Sequence, residues 1–428
     1  QSGLMAFTAA VLGGIGNPFG AVASGLLLGI LAAVSDYFLP TSWTPVLVLA
    51  VMIVLLALRP TGLAAEGGDD AAGARAETLV EARARPAVER RTLLALGALA
   101  LVYPLLDGLL GLHMQAIAAN ILIFALLALG LNIVMGYAGM LDLGYAACFA
   151  VGGYAAALLM TRGGSPRPVE FALLLGGAVA AAGLFGLLSG ALTLRLRGDY
   201  LAIVALAFGQ MVPRVVVNLS EWTGGSAGLT ALPPPQIAGF ALASMTQRYY
   251  LALALAALAA VACLRLADSR LGRAWVALRE DEQAAVSSGI SLARVRPLAF
   301  VLASALGGVA AALSATTFGY IDPDQADFQV SALILAMVVV GGAGSVRGAL
   351  VGALVIAGYN QIALPRLAAW WTGLAQASGA PWMRVVDLGA LSYLSFGLAL
   401  YLTVLLRARG GMTTRPAPHR PRTPAPAA

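Results

Sequence analysis

The chain has 428 residues, of which 60% are hydrophobic and only 11% are charged. Soluble domains carry about 25% charged residues, so this composition excludes an ordinary soluble protein and indicates a polytopic integral membrane protein. All 26 basic residues are arginines. Because the phosphate-binding loop of ATPases and Schiff-base chemistry both need a lysine, neither belongs to this chain.

The few cysteines and histidines argue against catalysis. Cys148 and Cys263 lie within or at the end of apolar runs, where a structural thiol is favoured over a disulfide or a metal ligand. His113 and His419 have no partner at the spacing of a zinc site. We therefore expect no catalytic residue, no metal site and no bound cofactor. The net charge of +6 resides in loop arginines, which indicates topology and does not require nucleic acid as a partner.

Apolar runs that approach the length of a membrane span recur along the whole chain, since a span needs about 20 residues. The predicted fold is therefore all-α, with about 12–13 transmembrane helices. The approximate limits of the runs are 1–16, 20–35, 43–58, 93–111, 116–136, 141–160, 171–193, 200–219, 249–266, 297–316, 328–345, 348–364 and 390–406.

A glycine-rich motif occurs twice between apolar runs, at residues 13–21 and 341–349, with the form GGxGxxxGA. It predicts a tight hairpin between two membrane helices, and its repetition is typical of transporters built from related halves. The alternative is that small residues merely let helices pack closely. By the repeat, the start of the chain corresponds to the interior of the span at 328–345. We therefore expect that the sequence is cut from a longer polypeptide.

The arginines segregate when the predicted spans are placed on alternating sides. One side receives 20 of them and the other receives six, so the positive-inside rule assigns the first side to the cytoplasm. The C-terminus of the chain lies on this cytoplasmic side in the predicted topology. Residues 64–92 lack apolar periodicity and predict a cytoplasmic linker, and residues 407–428 predict a disordered cytoplasmic tail.

The charged segment 268–290 is the longest one between the later spans. Leu271, Trp275 and Leu278 recur at helical spacing, with charged residues on the other faces. This pattern predicts a short amphipathic helix on the cytoplasmic membrane surface, broken near Gly289. An interfacial helix that only anchors the loop is an equal alternative.

Several of these segments carry a family resemblance. Glu282, Ala284, Ala285 and Gly289 loosely resemble the ATPase-docking loop of ATP-binding-cassette importer permeases. More specifically, the chain from 93 to 406 resembles the LivM-type permease of branched-chain amino-acid importers, and residues 1–63 resemble the C-terminal end of the partner LivH-type permease. The LivM-type resemblance rests on the runs 120–154 and 196–204, the turn 223–225 and the hairpin 341–349.

The resemblance implies a fused pair of permease units in the bacterial inner membrane. Two separate ATPase subunits, which bind ATP and magnesium, would dock on the cytoplasmic loops, and an extracytoplasmic binding protein would deliver a small amino acid. The chain itself would then be no enzyme. For the ATPase contact we predict Arg273, Arg279, Glu280 and Glu282, with Gly289 ending the helix.

Polar residues inside spans are costly in lipid, so they should face the bundle interior. The main cluster surrounds a predicted helix break at Gly136–Gly139, where irregular backbone requires a protein or water-filled surrounding. We predict a role in lining the substrate pathway; helix packing is the alternative, and Asp142 could instead lie at the cytoplasmic interface. The predicted pathway residues are Asn120, Asn132, Tyr137, Asp142, Tyr145, Tyr154 and, in a weaker stripe, Gln210.

Other functions stay open at this point. Within the same family, urea, short amides and small carboxylates are alternative substrates, and the acidic Asp142 could favour a cationic or amide ligand. An ion-coupled secondary transporter would also show repeated spans and intramembrane polar residues. It would not need the amphipathic cytoplasmic segment. A purely structural membrane scaffold would need neither the repeated hairpin nor the polar cluster.

Overall fold

The computed structural model describes residues 2–13, 17–58, 86–111, 113–161, 169–196 and 199–378. The predicted span at 390–406 and the predicted tail at 407–428 lie outside the described residues, as does most of the linker at 64–92. The described end of that linker is helical, because α4 begins at Pro86. The predicted boundary at 93 therefore falls inside a helix.

Helices make up nearly all of the described chain. They are α1 (Ser2–Gly13), α2 (Pro18–Phe38), α3 (Thr44–Leu58), α4 (Pro86–Leu110), α5 (Gln115–Leu131), α6 (Ala146–Met160), α7 (Phe171–Leu192), α8 (Asp199–Asn218), α9 (Ser220–Thr223), α10 (Met245–Ala267), α11 (Arg270–Glu280), α12 (Glu282–Ser287), α13 (Leu292–Phe318), α14 (Phe328–Gly341), α15 (Val346–Gly358) and α16 (Leu364–Ser378). Two short strands, β1 (Gln236–Ile237) and β2 (Phe240–Ala241), form an antiparallel hairpin.

The all-α polytopic fold is confirmed. Among the described residues, seven helices are long and apolar enough to cross a membrane, and a helix stands at every predicted span in this part of the chain. Two predicted spans are wrong in extent. The run 141–160 becomes helical only at Ala146, and the run 328–345 ends at Gly341, where Gly342 takes a φ of 101° that ends the helix.

Helix α13 occupies the centre of the bundle and packs against α5, α6 and α7. Small residues allow this close approach. A Cβ atom added at Gly308 would lie 2.6 Å from the carbonyl oxygen of Ala178, and one at Gly186 would lie 2.7 Å from that of Phe300. Helix association in membranes depends on such backbone proximity, because lipid supplies no hydrophobic driving force between helices.

The N-terminal helices α1, α2 and α3 join the rest of the bundle through α8. Helix α3 packs along α8, and the Asn218 side-chain amide donates a 2.8 Å hydrogen bond to the carbonyl oxygen of Ser42. At the other end of the chain, α14 and α15 pack against each other and against α5. The described chain thus places one glycine-rich hairpin at the side of the bundle and the other against its central helices.

Candidate functional site

The predicted break in the polar span is present. Helix α5 ends in a wider π-helical turn, Asn132–Tyr137, and the chain is then non-helical until α6 begins at Ala146. Gly139 has a φ of 69°, a conformation that favours glycine. We call residues 132–145 the broken segment. Directly after it, the backbone N–H of Ala146 at the start of α6 donates a 3.0 Å hydrogen bond to the Ser331 hydroxyl on α14.

The second glycine-rich hairpin holds the start of the broken segment. The Asn132 side-chain oxygen accepts a 2.7 Å hydrogen bond from the backbone N–H of Gly344. The absence of a side chain at Gly136 makes this contact possible, because a Cβ atom there would overlap both the Asn132 side chain and the Gly344 backbone. Asn132, predicted to line a pathway, therefore ties the π-helical turn to the hairpin.

Further along, the broken segment contacts α8 and α13. The Asp142 carboxylate is buried and accepts a 3.0 Å hydrogen bond from the backbone N–H of Gly144. The Tyr145 hydroxyl donates a 2.8 Å hydrogen bond to the carbonyl oxygen of Ala303 on α13. Asp142 and Tyr145 also line one narrow pocket between α6, α7, α8 and α13, to which Ser304 contributes.

The remaining predicted pathway residues lie elsewhere. Gln210 donates a 3.2 Å hydrogen bond to Asp327, whose carboxylate also caps the N-terminus of α14. Tyr154 is buried in a separate apolar cluster with Ile321, Tyr137 is buried in the π-helical turn, and Asn120 is partly buried on α5. The seven predicted residues therefore have different surroundings, and of them Asp142 and Tyr145 share one pocket.

Two contributors to this region were missed by sequence reasoning. Asp327 directly precedes the apolar run of α14, so its position as a helix cap was a readable signal. Ser331 lies within that run, and its contact with Ala146 depends on the fold, so no sequence signal could have found it.

The amphipathic segment forms two helices instead of one. Helix α11 ends at Glu280, and the next residue, Asp281, has extended backbone. The Asp281 carboxylate accepts a 3.0 Å hydrogen bond from the backbone N–H of Ala284 and so caps the start of α12. Gly289 ends α12 with a φ of 88°, and the N–H of Ile290 bonds the carbonyl oxygen of Ala285. The predicted break near Gly289 is therefore wrong for the first helix, which ends before Asp281, and Gly289 follows the second helix instead.

We call residues 268–290 the α11–α12 loop. Two contacts fix it to α13. The buried Trp275 indole N–H donates a 2.7 Å hydrogen bond to the carbonyl oxygen of Val295. Glu282 forms a 2.6 Å ion pair with Arg296, and these side chains are 25% and 13% exposed. The loop is therefore attached to the central helix at both of its short helices.

The predicted contact residues on the loop have different surroundings. Arg273 and Glu280 are exposed, and the Arg273 guanidinium donates a 2.6 Å hydrogen bond to the carbonyl oxygen of Asp268. Gly289 is exposed as well, whereas Glu282 is engaged with Arg296. Arg279 points inward, and its guanidinium Nη1 donates a 2.6 Å hydrogen bond to the carbonyl oxygen of Gly136 in the broken segment.

Arg279 is partly buried, and its aliphatic carbons lie against Gly139. Burial lowers the pKa of the Arg279 guanidinium from its ordinary value, and the neighbouring Glu280 carboxylate acts in the opposite direction. The guanidinium stays charged because its ordinary pKa lies far above neutrality. A permanent positive charge therefore meets the carbonyl end of a helix, where cations are stabilised by the helix dipole.

Comparison with known proteins places this architecture in a family. The family described as "Branched-chain amino acid transport system / permease component" matches residues 1–56 and 113–404. The LivM permease protein of Salmonella typhimurium is 38% identical over 263 residues, covering 56% of this chain and 61% of the relative. The LivM permease protein of Escherichia coli is 37% identical over the same length.

A second kind of relative matches a short stretch. The LivH permease protein of Escherichia coli is 48% identical over 63 residues, covering 15% of this chain and 20% of the relative. The chain thus spans about three fifths of the LivM relatives and one fifth of the LivH relatives. No solved structure matches. The family match covers most of the chain, including the broken segment, the α11–α12 loop and both hairpins, so this multi-pass membrane protein belongs to the permease-component family of branched-chain amino acid transport systems.

Proposed function

We propose that the chain is a permease unit of an ATP-binding-cassette importer that moves branched-chain amino acids across the bacterial inner membrane. The observation that carries this proposal is the α11–α12 loop. Its inner face is attached to α13 through Trp275 and Glu282, and its outer face is exposed. A secondary transporter has no need for such an anchored surface loop.

The exposed face suits a protein partner. Ala284 is exposed on α12, and so is Val286, whose side chain is 48% exposed beside the exposed Gln283 and Ser287. Small and apolar side chains on a short helix fit a groove on another protein, and charged residues at the rim add specificity. We propose that one ATPase subunit docks here, with Arg273 and Glu280 at the rim of the contact.

The proposed energy source is external to the chain. The sequence has no lysine for a phosphate-binding loop, so ATP and magnesium would be bound by two partner ATPase subunits. Closure of those subunits on nucleotide would move the docked α11–α12 loop as a unit, because its two anchors hold it against α13. The membrane helices would then follow that movement.

The broken segment is the proposed moving part of the pathway. Backbone without helical hydrogen bonds is tolerated at membrane depth only beside protein or a water-filled cavity. The chain has such backbone between Tyr137 and Ala146, next to a pocket lined by Asp142 and Tyr145. We propose that Asp142 and Tyr145 face the passing substrate, while Asn132 holds the segment against the hairpin.

The proposed substrate is supported by the names of the relatives, and the proposed topology by the distribution of charges. The relatives are named as high-affinity branched-chain amino acid permeases, which supports leucine, isoleucine and valine as substrates, delivered by an extracytoplasmic binding protein. Arginine segregation supports a cytoplasmic location for the α11–α12 loop and for the C-terminus.

The test is uptake of radiolabelled leucine by cells that produce the permease together with its ATPases and binding protein. We expect uptake that disappears when the catalytic base of the ATPases is disabled. Uptake that is indifferent to this change would contradict the importer and favour an ion-coupled transporter. ATPase-dependent uptake of urea or a short amide, but not of leucine, would contradict only the substrate.

A further inference from the structure

One contact joins the α11–α12 loop directly to the broken segment. The Arg279 guanidinium donates to the carbonyl oxygen of Gly136, which lies in the π-helical turn at the end of α5. Carbonyl groups at the end of a helix lack partners within the helix, and a cationic donor is the strongest group that can satisfy them. Arg279 therefore caps a helix that belongs to a different part of the chain.

The Arg279 side chain is also confined by its packing against Gly139. The Arg279 side chain crosses Gly139, where a Cβ atom would overlap its Cγ atom and where the φ of 69° already favours glycine. The π-helical turn is also held by the hydrogen bond between Asn132 and Gly344. The broken segment thus contacts both the α11–α12 loop and the α14–α15 hairpin.

The loop contacts the broken segment through the same helix that carries its buried anchor. Trp275 and Arg279 lie four residues apart on α11 and share one face of the helix. The Trp275 side chain donates a hydrogen bond to α13, and the Arg279 side chain donates one to the broken segment. A rotation of α11 would therefore change the position of the Gly136 carbonyl relative to α13.

We propose that Arg279 is a positioning residue that links the α11–α12 loop to the broken segment, so that movement of the loop opens or closes the pathway at Gly136–Gly139. This inference rests on the proposed importer function. It assigns Arg279 a role inside the permease, separate from the ATPase contact predicted from the sequence. The residues proposed to meet the ATPase are then the exposed ones of the α11–α12 loop.

The test measures transport and ATP hydrolysis together. The complete complex of permease and ATPases is reconstituted in liposomes with the leucine-loaded binding protein, and leucine uptake per ATP hydrolysed is compared between wild type and Arg279→Ala. We expect this ratio to fall by about tenfold, the effect of losing one charge-assisted hydrogen bond, while the ATPases still co-purify with the permease. Arg279→Lys, which keeps one cationic donor, should restore part of the ratio.

A second variant disturbs the same contact by changing the residue against which Arg279 packs. Gly139→Ala would displace the Arg279 side chain without removing it, and we expect the same loss of uptake per ATP. Gly111→Ala is the matched control, because Gly111 has a similar φ of 61° and a Cβ atom there has nothing within 4 Å. Arg265→Ala, which removes an exposed arginine near the end of α10, controls for the loss of charge.

The outcomes separate the two proposals. An unchanged ratio in Arg279→Ala would overturn the linking role while leaving the importer intact. Loss of ATPase co-purification in Arg279→Ala but not in Arg265→Ala would also overturn it, because Arg279 would then belong to the docking surface. If wild-type liposomes hydrolyse ATP without leucine uptake, the proposed substrate fails; the ratio is then measured with the substrate that is transported.

Discussion

The two glycine-rich hairpins share a sequence motif and a close approach of their two helices, but their surroundings differ. In the α1–α2 hairpin, a Cβ atom at Gly13 would overlap the backbone of Gly20, and in the α14–α15 hairpin one at Gly341 would overlap that of Gly348. The following helix starts in the same way in both. The Asn17 side chain accepts a hydrogen bond from the N–H of Gly20, and Ser345 accepts one from that of Gly348.

The surroundings then diverge. Phe19 in the first hairpin is 86% exposed, whereas Arg347 at the equivalent place in the second is 5% exposed. The second hairpin also donates its Gly344 N–H to Asn132 of the broken segment. The motif therefore determines the local hairpin, while the neighbouring helices determine whether that hairpin contacts a functional element.

The largest expected effect comes from adding a methyl group where the two helices of each hairpin approach most closely. Gly341→Ala should lower the free energy of unfolding in detergent by about 3 kcal/mol, because the new methyl group meets buried backbone. Gly13→Ala should cost less, since α2 is largely exposed on its outer side and can move away.

Thermal or denaturant-induced unfolding followed by tryptophan fluorescence measures both losses. Gly29→Ala is the control, because no atom lies within 4 Å of an added Cβ. Equal losses at Gly13 and Gly341 would contradict the difference in surroundings that we draw between the hairpins.

The next effect concerns the contact between the second hairpin and the broken segment. Asn132→Ala leaves the Gly344 N–H without its partner, which should cost about 1–3 kcal/mol of unfolding free energy. Asn218→Ala is the matched control, since its bond to Ser42 is exposed and water can replace it. If both variants lose the same stability in the same unfolding experiment, Asn132 does not hold the hairpin in the way described.

A smaller effect is expected from removing the helix cap that both hairpins have. Asn17→Ala and Ser345→Ala each remove the side chain that caps the second helix of a hairpin, and each should cost about 1 kcal/mol. Replacement by aspartate, another good capping residue, should restore most of the loss. A loss confined to one of the two would show that the motif does not act locally.

The smallest effect tests the exposed hairpin. Phe19→Ala should change the free energy of unfolding by no more than about 0.5 kcal/mol, because the ring contributes little buried area within the described chain. The same unfolding measurement in detergent checks this. A loss of several times that size would mean that the Phe19 ring is covered by another part of the protein.

The positions of the helices were predictable because a membrane span is recognisable in the sequence as a long apolar run. The break at Gly136–Gly139 was predictable as well, since glycines interrupt an apolar run there. The inward direction of Arg279 was not. An arginine on an amphipathic helix is expected to lie at the surface. Its partner, the Gly136 carbonyl, lies 143 residues away in the chain.

The polar residues of the spans show the same limit. Sequence identified Asn132, Asp142 and Tyr145 as costly in lipid and therefore as facing protein. It could not assign their partners, because Gly344, Gly144 and Ala303 offer only backbone groups, which every residue carries. Ser331, which receives the N–H of Ala146, was missed for the related reason that a serine within an apolar helix gives no directional signal.

The apolar spans, the repeated hairpin and the amphipathic helix around Trp275 depend on neighbouring residues, so they could be predicted from the sequence. Only the tertiary structure decided that α13 anchors the α11–α12 loop, that Glu282 pairs with Arg296, and that Arg279 reaches the broken segment. The reason is physical. Helix formation and capping are local interactions within a few residues, whereas the partner of a side chain that leaves its helix depends on which helices pack beside it.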